Sequence, residues 1–463
     1  MLIQSMKFFL KSSSVLLNIY RMSSKCTVAV CQFTATNNKE ENFKVVKSLL
    51  KESVEKKAQI VFLPEASDFI AKDKHEFKAL AEPLTGPLIS SYCSLAKDLN
   101  IWISLGGYHE MYDASTIYNS HVVINNQGEI KSVYRKIHLF DVSIPDKNIH
   151  LRESDTNRGG NEIVPPVQTP LGLLGLSICY DLRFPEISTL LRKLNADVLT
   201  YPSAFTSGTG KAHWEPLLRA RAIENQCYVI AAAQYGKHNN KRISYGQAMI
   251  VDPWGKIIAE CPKYSDDVST NQSIGVAELD LDIIKRIRTE MPVILHRRND
   301  IYSLNLVNCR QDIDDDKIYE FADKKIPGKT VFYVTKHSFA FTNIRCVVPG
   351  HVLVSSLRKA KRLQDLTEEE IADLFQTTVK VSKAVEKMYN AQSSTVCVQD
   401  GKFAGQTIPH VHAHILPRKE NDFSNNDDIY LHLAKHDTAD ESKLIRTLAE
   451  QIDEASVLRK YFY

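Results

Sequence analysis

Apolar and polar positions follow two regimes along this chain, and the change between them divides it. From Thr27 onward, short β-branched apolar runs alternate with longer stretches whose apolar positions recur at helical spacing, which predicts an α/β domain. Thr27-Val28-Ala29-Val30-Cys31 predicts a buried strand, after which Phe43, Val46, Leu49, Leu50 and Val54 share one helix face. Gln59-Ile60-Val61-Phe62-Leu63 predicts the next strand and runs into Pro64-Glu65, placing a carboxylate at a strand's C-terminal end, where α/β sheets build their sites. Tyr118 to Ile124 and Ile130 to Tyr134, around Asn126-Gln127-Gly128, predict a hairpin that leads into Lys136. Leu171 to Ile178 reads as a glycine-punctuated strand ending at Cys179. That cysteine is expected at a strand-to-helix turn, where a helix N-terminus and a nearby lysine would lower the thiol pKa.

The second regime follows a charged, apolar-poor stretch, Cys309 to Lys317, which reads as a linker. Thr330 to Val334 and Ser338 to Thr342 predict a hairpin, and Val347 to Val354 another turn and strand. Thr367-Glu368-Glu369-Glu370 is a capping box opening a helix. Ile371, Leu374, Phe375, Thr378, Val381, Val385 and Met388 mark its core face. Thr395 to Gln399 and a strand from His410 complete an antiparallel sheet, joined by a loop containing Gly401 and Gly405. In Pro409-His410-Val411-His412-Ala413-His414-Ile415 alternate side chains share a face. His410, His412 and His414 thus line one side while Val411, Ala413 and Ile415 enter the core. Three readings compete for this row: a solvated polar face, a zinc site with three protein ligands, and a nucleophilic imidazole between two helpers.

At 463 residues the chain is long enough for two or three domains. A net charge of +3 over that length argues against a nucleic-acid partner and for small-molecule substrates. The cysteines show no CxxC spacing and an odd total, nine, which disfavours a disulfide framework and fits a reducing compartment. No apolar run approaches the ~18 residues of a membrane span, so no membrane partner is expected. Residues 1–25 carry Lys7, Lys11, Arg21 and Lys25, with no acid before Glu40, the composition of a mitochondrial transit peptide. A start at Met22 is the opposing reading. The expectation is a cytoplasmic protein, with a mitochondrial form supplied by the extension.

Leu63-Pro64-Glu65-Ala66, Tyr134-Arg135-Lys136-Ile137-His138-Leu139 and Ser177-Ile178-Cys179-Tyr180-Asp181-Leu182-Arg183-Phe184-Pro185-Glu186 together resemble the nitrilase superfamily of carbon-nitrogen hydrolases. The resemblance extends through His213-Trp214-Glu215, Arg219 to Asn225 and Asp252-Pro253-Trp254-Gly255. It implies a four-layer α-β-β-α sandwich that assembles into oligomers, a homotetramer being the expectation. It also implies Glu65 as general base, Cys179 as nucleophile, Lys136 as oxyanion stabiliser and Glu153 as an assisting second glutamate. The branch sharing Phe184-Pro185-Glu186 and His213-Trp214-Glu215 acts on small dicarboxylate mono-amides and deaminated glutathione rather than on nitriles.

The pattern His-φ-His-φ-His-φ-φ resembles the histidine triad nucleotide hydrolases and transferases. Gln399 to His410, Pro417-Arg418-Lys419 and Asn426 to Tyr430 are similar to the fragile histidine triad branch, which implies an α+β domain cleaving dinucleoside polyphosphates. By that resemblance His412 attacks the α-phosphorus, and diadenosine triphosphate yields AMP and ADP through a nucleotidyl-histidine. His414 and Gln399 orient phosphate and leaving-group oxygens, Asn343 contacts ribose, and His351 and His410 brace the triad. Gly405, Gln406, Thr407 and Ile408 bring backbone amides to the phosphates. No tightly bound cofactor and no protein-held metal are expected, only manganese or magnesium accompanying the nucleotide. The order of parts resembles the nitrilase and fragile histidine triad fusions: an extension 1–25, a carbon-nitrogen hydrolase 26–308, a linker 309–317 and a triad domain 318–463. Two hydrolases in one chain are expected; the rival is a dinucleotide-sensing scaffold with vestigial catalysis.

Overall fold

The computed structural model describes residues 25–144, 149–265, 272–299, 301–302, 304, 306, 313–436 and 445–462. The extension before Lys25, with Met22, and residues 309–312 of the expected linker lie outside them. Backbone contacts divide the chain into Met1–Leu304 and Asn305–Tyr463.

The first unit is built on the strand Lys25–Phe33, whose residues after Lys25 are almost all buried on both faces. It pairs parallel with Ile60–Leu63 and, along its whole length, antiparallel with Gln272–Asp280. Trp102–Met111, Ile117–Ile124 and Ile130–Arg135 extend the sheet beyond Ile60–Leu63, the last two as the expected hairpin. Helices Lys39–Glu55 and Pro87–Asp98 cover its outer face, burying Val46, Leu49, Leu50, Ile89 and Tyr92 against Ala29, Cys31, Val61 and Ile103. Each such side chain removed from water contributes about 1.5–3 kcal/mol. A second sheet runs Ile257–Glu260, Met249–Val251, Tyr228–Ala231, Val198–Thr200, Gly172–Leu176, Val167–Thr169. Helices Pro185–Lys193 and Ser207–Asn225 lie on it, which gives the four α-β-β-α layers. The strands ending at Leu63, Arg135 and Leu176 deliver Glu65, Lys136 and Cys179 from their C-terminal ends.

Two details depart from expectation. Of Leu171 to Ile178, Gly172–Leu176 is strand. Gly172, at φ +82° and with room for a Cβ only 2.5 Å from Asp197 Oδ2, turns the chain between Val167–Thr169 and Gly172–Leu176. Cys179 opens a 3₁₀ turn, Cys179–Arg183, and the α-helix begins only at Pro185.

The second unit holds an antiparallel sheet ordered Val331–Val334, Ser338–Thr342, Val352–Ser356, His412–Arg418, Ser393–Cys397. Helix Glu368–Tyr389 crosses one face, with the capping box formed as read: Glu370 N–H donates to Thr367 Oγ1, and Thr367 N–H donates to Glu370 Oε2. Leu374, Val381 and Val385 pack on Phe332, Val352, Val354 and Ile415. Phe375 was expected in that stripe but is 42% exposed, because it lies about 100° around the helix from Leu374. On the other face Tyr319, Phe321, Phe339, Phe341 and Leu353 form a separate cluster. The triad strand starts at His412 rather than His410, whose own N–H turns back to the Ile408 carbonyl.

Candidate active sites

Glu65, Lys136, Glu153 and Cys179 converge on one cleft of about 860 Å³. Lys136 is 2% exposed, and its Nζ lies 2.9 Å from Glu65 Oε1 and 2.8 Å from Glu153 Oε2. Glu153, whose register was open in the sequence, is pinned a second time by the Phe140 N–H at 2.8 Å. Cys179 adopts φ +45°, a left-handed conformation that costs a non-glycine residue about 1–2 kcal/mol. Its N–H donates to the Pro202 carbonyl and holds it there.

The electrostatics follow from burying these groups together. Burial and the Glu65 carboxylate push the Cys179 thiol well above its ordinary range, outweighing Lys136. The expectation of a lowered thiol pKa is therefore reversed: the turn at Cys179 is too short to act as a helix N-terminus, and a carboxylate faces the sulfur. Burial alone would raise Glu65, but Lys136 and the thiol hydrogen bond hold it below its usual value. Lys136 is opposed by burial, yet Glu153 and Glu65 keep it firmly charged. A protonated thiol beside an ionised carboxylate and a fixed ammonium can be activated by proton transfer, with the cation left to stabilise a developing oxyanion. Arg183, Lys241 and Arg242 also line the cleft.

In the second unit His412 and His414 share one face of their strand, as alternation requires, with His410 in the turn before it, and each nitrogen assigned a bond has an identifiable role. His410 Nδ1 accepts the Ala322 N–H at 2.9 Å while Nε2 donates to the Ser356 carbonyl at 2.9 Å. Burial lowers the pKa of this imidazole. His412 Nδ1 donates to the His410 carbonyl at 2.7 Å, so its lone pair sits on Nε2. His351 Nδ1 accepts the Val347 N–H at 3.3 Å and Nε2 donates to His414 Nδ1 at 3.0 Å, which leaves the His414 proton on Nε2. The strand thus presents an acceptor nitrogen and a donor nitrogen two residues apart along the same face. Among the described residues no group of three or more His, Cys, Asp or Glu is arranged to hold a metal ion.

Asn343 is buried near His351, its Nδ2 3.4 Å from His351 Nε2. In the loop after Gln399, two of the four amides expected at the phosphates are bonded within the loop. Gly405 N–H donates to the Lys402 carbonyl and Gln406 N–H to the Gly401 carbonyl, while the Gln406 side chain ties Gly401 to Lys361. Gly405 is needed for its φ of +85° and for the approach of Gln399 Nε2, which would lie 3.0 Å from a Cβ. Ile408 packs toward the Phe321 cluster, and Thr407 is exposed.

Comparison with known proteins agrees with this layout. A carbon-nitrogen hydrolase family model matches residues 27–289 and a HIT domain model residues 324–421. The nitrilase and fragile histidine triad fusion protein of Drosophila melanogaster is 49% identical over 441 residues, 95% of this chain and 93% of that one. The chain belongs to the nitrilase and fragile histidine triad fusion family. The crystal structure of the Caenorhabditis elegans fusion superposes with a TM-score of 0.82 at 45% identity, covering 95% of this chain and 99% of that one. The first unit of this fusion is also similar to human deaminated glutathione amidase, 48% identical over 287 residues, 60% of this chain and 85% of that one.

Reasoning from sequence passed over three residues of the fusion's sites. Asp181, fully buried, accepts from Tyr134 Oη, Ile178 N–H and both the N–H and Nδ1 of His138, tying the lysine segment to the nucleophile turn. It stood inside a quoted motif but was given no part. Arg446 donates to the Asn343 carbonyl and pairs with Glu454 at 2.6 Å, anchoring the Asn343 segment from far along the chain. Asn119 was visible only as a polar residue within an apolar strand.

Proposed function

We propose that the chain is a bifunctional hydrolase. Its first unit removes ammonia from a small ω-amide such as deaminated glutathione, and its second cleaves a dinucleoside polyphosphate such as diadenosine triphosphate. In the amidase, Glu65 takes the Cys179 proton and the sulfur attacks the amide carbon, with Lys136 Nζ beside the oxyanion. The C–N bond then breaks, Glu65 returns the proton to the departing nitrogen, and a thioester remains. Water gives a proton to Glu65 as it attacks, and the acid leaves with the thiol restored. In the second unit His412 Nε2 attacks the α-phosphorus, AMP is held on the imidazole and ADP departs, with His414 Nε2–H toward the phosphate oxygens. Water then releases AMP.

The observation that carries the reading is the pair of hydrogen bonds on Nδ1, to the His410 carbonyl for His412 and to His351 for His414, since in-line attack requires an unprotonated nitrogen and a donor together. The proposal also takes manganese or magnesium to arrive on the substrate phosphates, and the protein to act as a homotetramer in the cytoplasm with a mitochondrial form, its partners being these small substrates rather than nucleic acid or membrane.

The test uses the purified full chain. Cys179→Ala should abolish ammonia release from deaminated glutathione and leave AMP release from diadenosine triphosphate unchanged. His412→Asn should do the converse while still binding the dinucleotide. Loss of both activities in either variant, or zinc at one equivalent removed by any triad substitution, would refute it.

A further inference from the structure

Asn119 lies on the strand Ile117–Ile124 and is 3% exposed. Its Nδ2 donates to Glu65 Oε1 at 2.9 Å and to Glu153 Oε1 at 3.0 Å. Those are oxygens that Lys136 Nζ also reaches, at 2.9 and 3.1 Å. The Asn119 carbonyl accepts the Lys136 N–H as well. Each glutamate is therefore held by the same two donors, one ammonium and one amide.

This arrangement answers a specific problem. Two carboxylates in one dry site repel, and such a pair ordinarily retains a proton on one member. Lys136 carries one positive charge against two negative ones. A protonated Glu65 could not accept the thiol proton. The orientation of the amide supports a role beyond filling space. With Nδ2 turned to the carboxylates, Oδ1 is left buried without a protein partner. Turning the amide over would set an oxygen against two carboxylate oxygens, and an apolar side chain of similar size would leave no orphan at all.

We propose that Asn119 is a positioning residue of the amidase, holding the Glu65 and Glu153 carboxylates around Lys136 so that Glu65 stands ready as the base. The inference rests on the amidase reading. The other charged or titratable groups facing Glu65 are Lys136, Cys179 and Arg242, with Glu153 beyond Lys136. None of these supplies the second shared donor.

Donation from Nδ2 favours the ionised form of Glu65, so its removal raises the Glu65 pKa and moves the acidic limb of kcat/KM to higher pH. The experiment compares Asn119→Leu and Asn119→Ala with the parent full chain. It measures kcat/KM for deaminated glutathione against pH and, separately, the pH dependence of Cys179 alkylation by iodoacetamide. In both variants the acidic limb should rise by about one pH unit, a tenfold loss on the limb, with KM little changed. The position of a limb does not depend on how much protein is folded, so a poorly folding variant is still readable. A limb at the parental pH with only a lower amplitude would overturn the proposal. If the parent hydrolyses no amide yet its alkylation shows an acidic limb that both variants shift, the amidase reading fails while the positioning role stands.

Discussion

Asp181→Asn is the most informative single change in the amidase unit, because it alters charge and one donor–acceptor set without altering volume. The carboxylate accepts four hydrogen bonds in complete burial: Tyr134 Oη and Ile178 N–H on Oδ2, each 2.8 Å, and His138 N–H and Nδ1 on Oδ1, 3.2 and 2.7 Å. An asparagine keeps one oxygen, so whichever way it turns, two of the four donors face an NH₂ group. Hydrogen bonds to a charged acceptor contribute about 1.5–3 kcal/mol each, giving a loss of at least about 3 kcal/mol. For a domain of this size that lowers the melting transition by about 6–12 °C. The donors belong to the segment carrying Lys136 and the turn carrying Cys179, so loosening them displaces lysine and sulfur relative to each other. A misplacement of about 1 Å costs on the order of 10²-fold in rate. The assays are calorimetry of the full chain and steady-state amide hydrolysis, with dinucleotide cleavage as the internal control. Melting within about 2 °C of the parent together with unchanged kcat would refute the reasoning.

Three further outcomes follow from named groups. Glu65→Gln should reduce amide hydrolysis far more than Glu153→Gln, since only Glu65 is assigned proton transfer in both half-reactions, a contribution of about 10²–10⁴-fold; equal losses in kcat would give Glu153 a larger part. The Arg358 guanidinium, at 2.7 Å, together with hydrogen bonds from Thr367, lowers the Glu370 pKa from 4.5 to about 2. The resulting stability is present above pH 4.5 and is lost as pH falls toward 2; allowing for the exposure of Arg358 it is about 1–2 kcal/mol, and acid unfolding of Glu370→Gln should lack that pH dependence. A reporter fused to residues 1–25 should enter mitochondria while one starting at Met22 stays in the cytosol, and diffuse fluorescence from both would end the targeting idea.

The parts of the two sites that sequence reveals are those at the ends of apolar runs. Glu65 follows Leu63, Lys136 follows the hairpin and Cys179 follows a glycine-rich strand, so chain-local patterning places each just past the C-terminal end of a strand. Alternation likewise puts His412 and His414 on one face. What patterning misses depends on approach through space. The thiol pKa was misjudged because the pattern marks a turn and a lysine but shows neither the burial that dominates the shift nor the Glu65 carboxylate that approaches from another strand. The amides of Gly405 and Gln406 looked available because a glycine-bearing loop does not reveal its internal hydrogen bonds. Phe375 was placed in the core by a spacing tolerance wider than the helix face allows.

The histidine ladder has a consequence for how such a site can originate. His412 and His414 are the same side chain, on the same strand, two positions apart, yet their hydrogen bonds give them opposite tautomers. The distinction is made by main-chain atoms, the His410 carbonyl on one side and the Val347 amide acting through His351 on the other. A carbonyl cannot donate and a backbone amide cannot accept, so the polarity of the pair is inherited from the direction of the peptide chain itself. It needs no buried carboxylate to set it, and no nearby side-chain substitution can invert it while His351 and the fold remain.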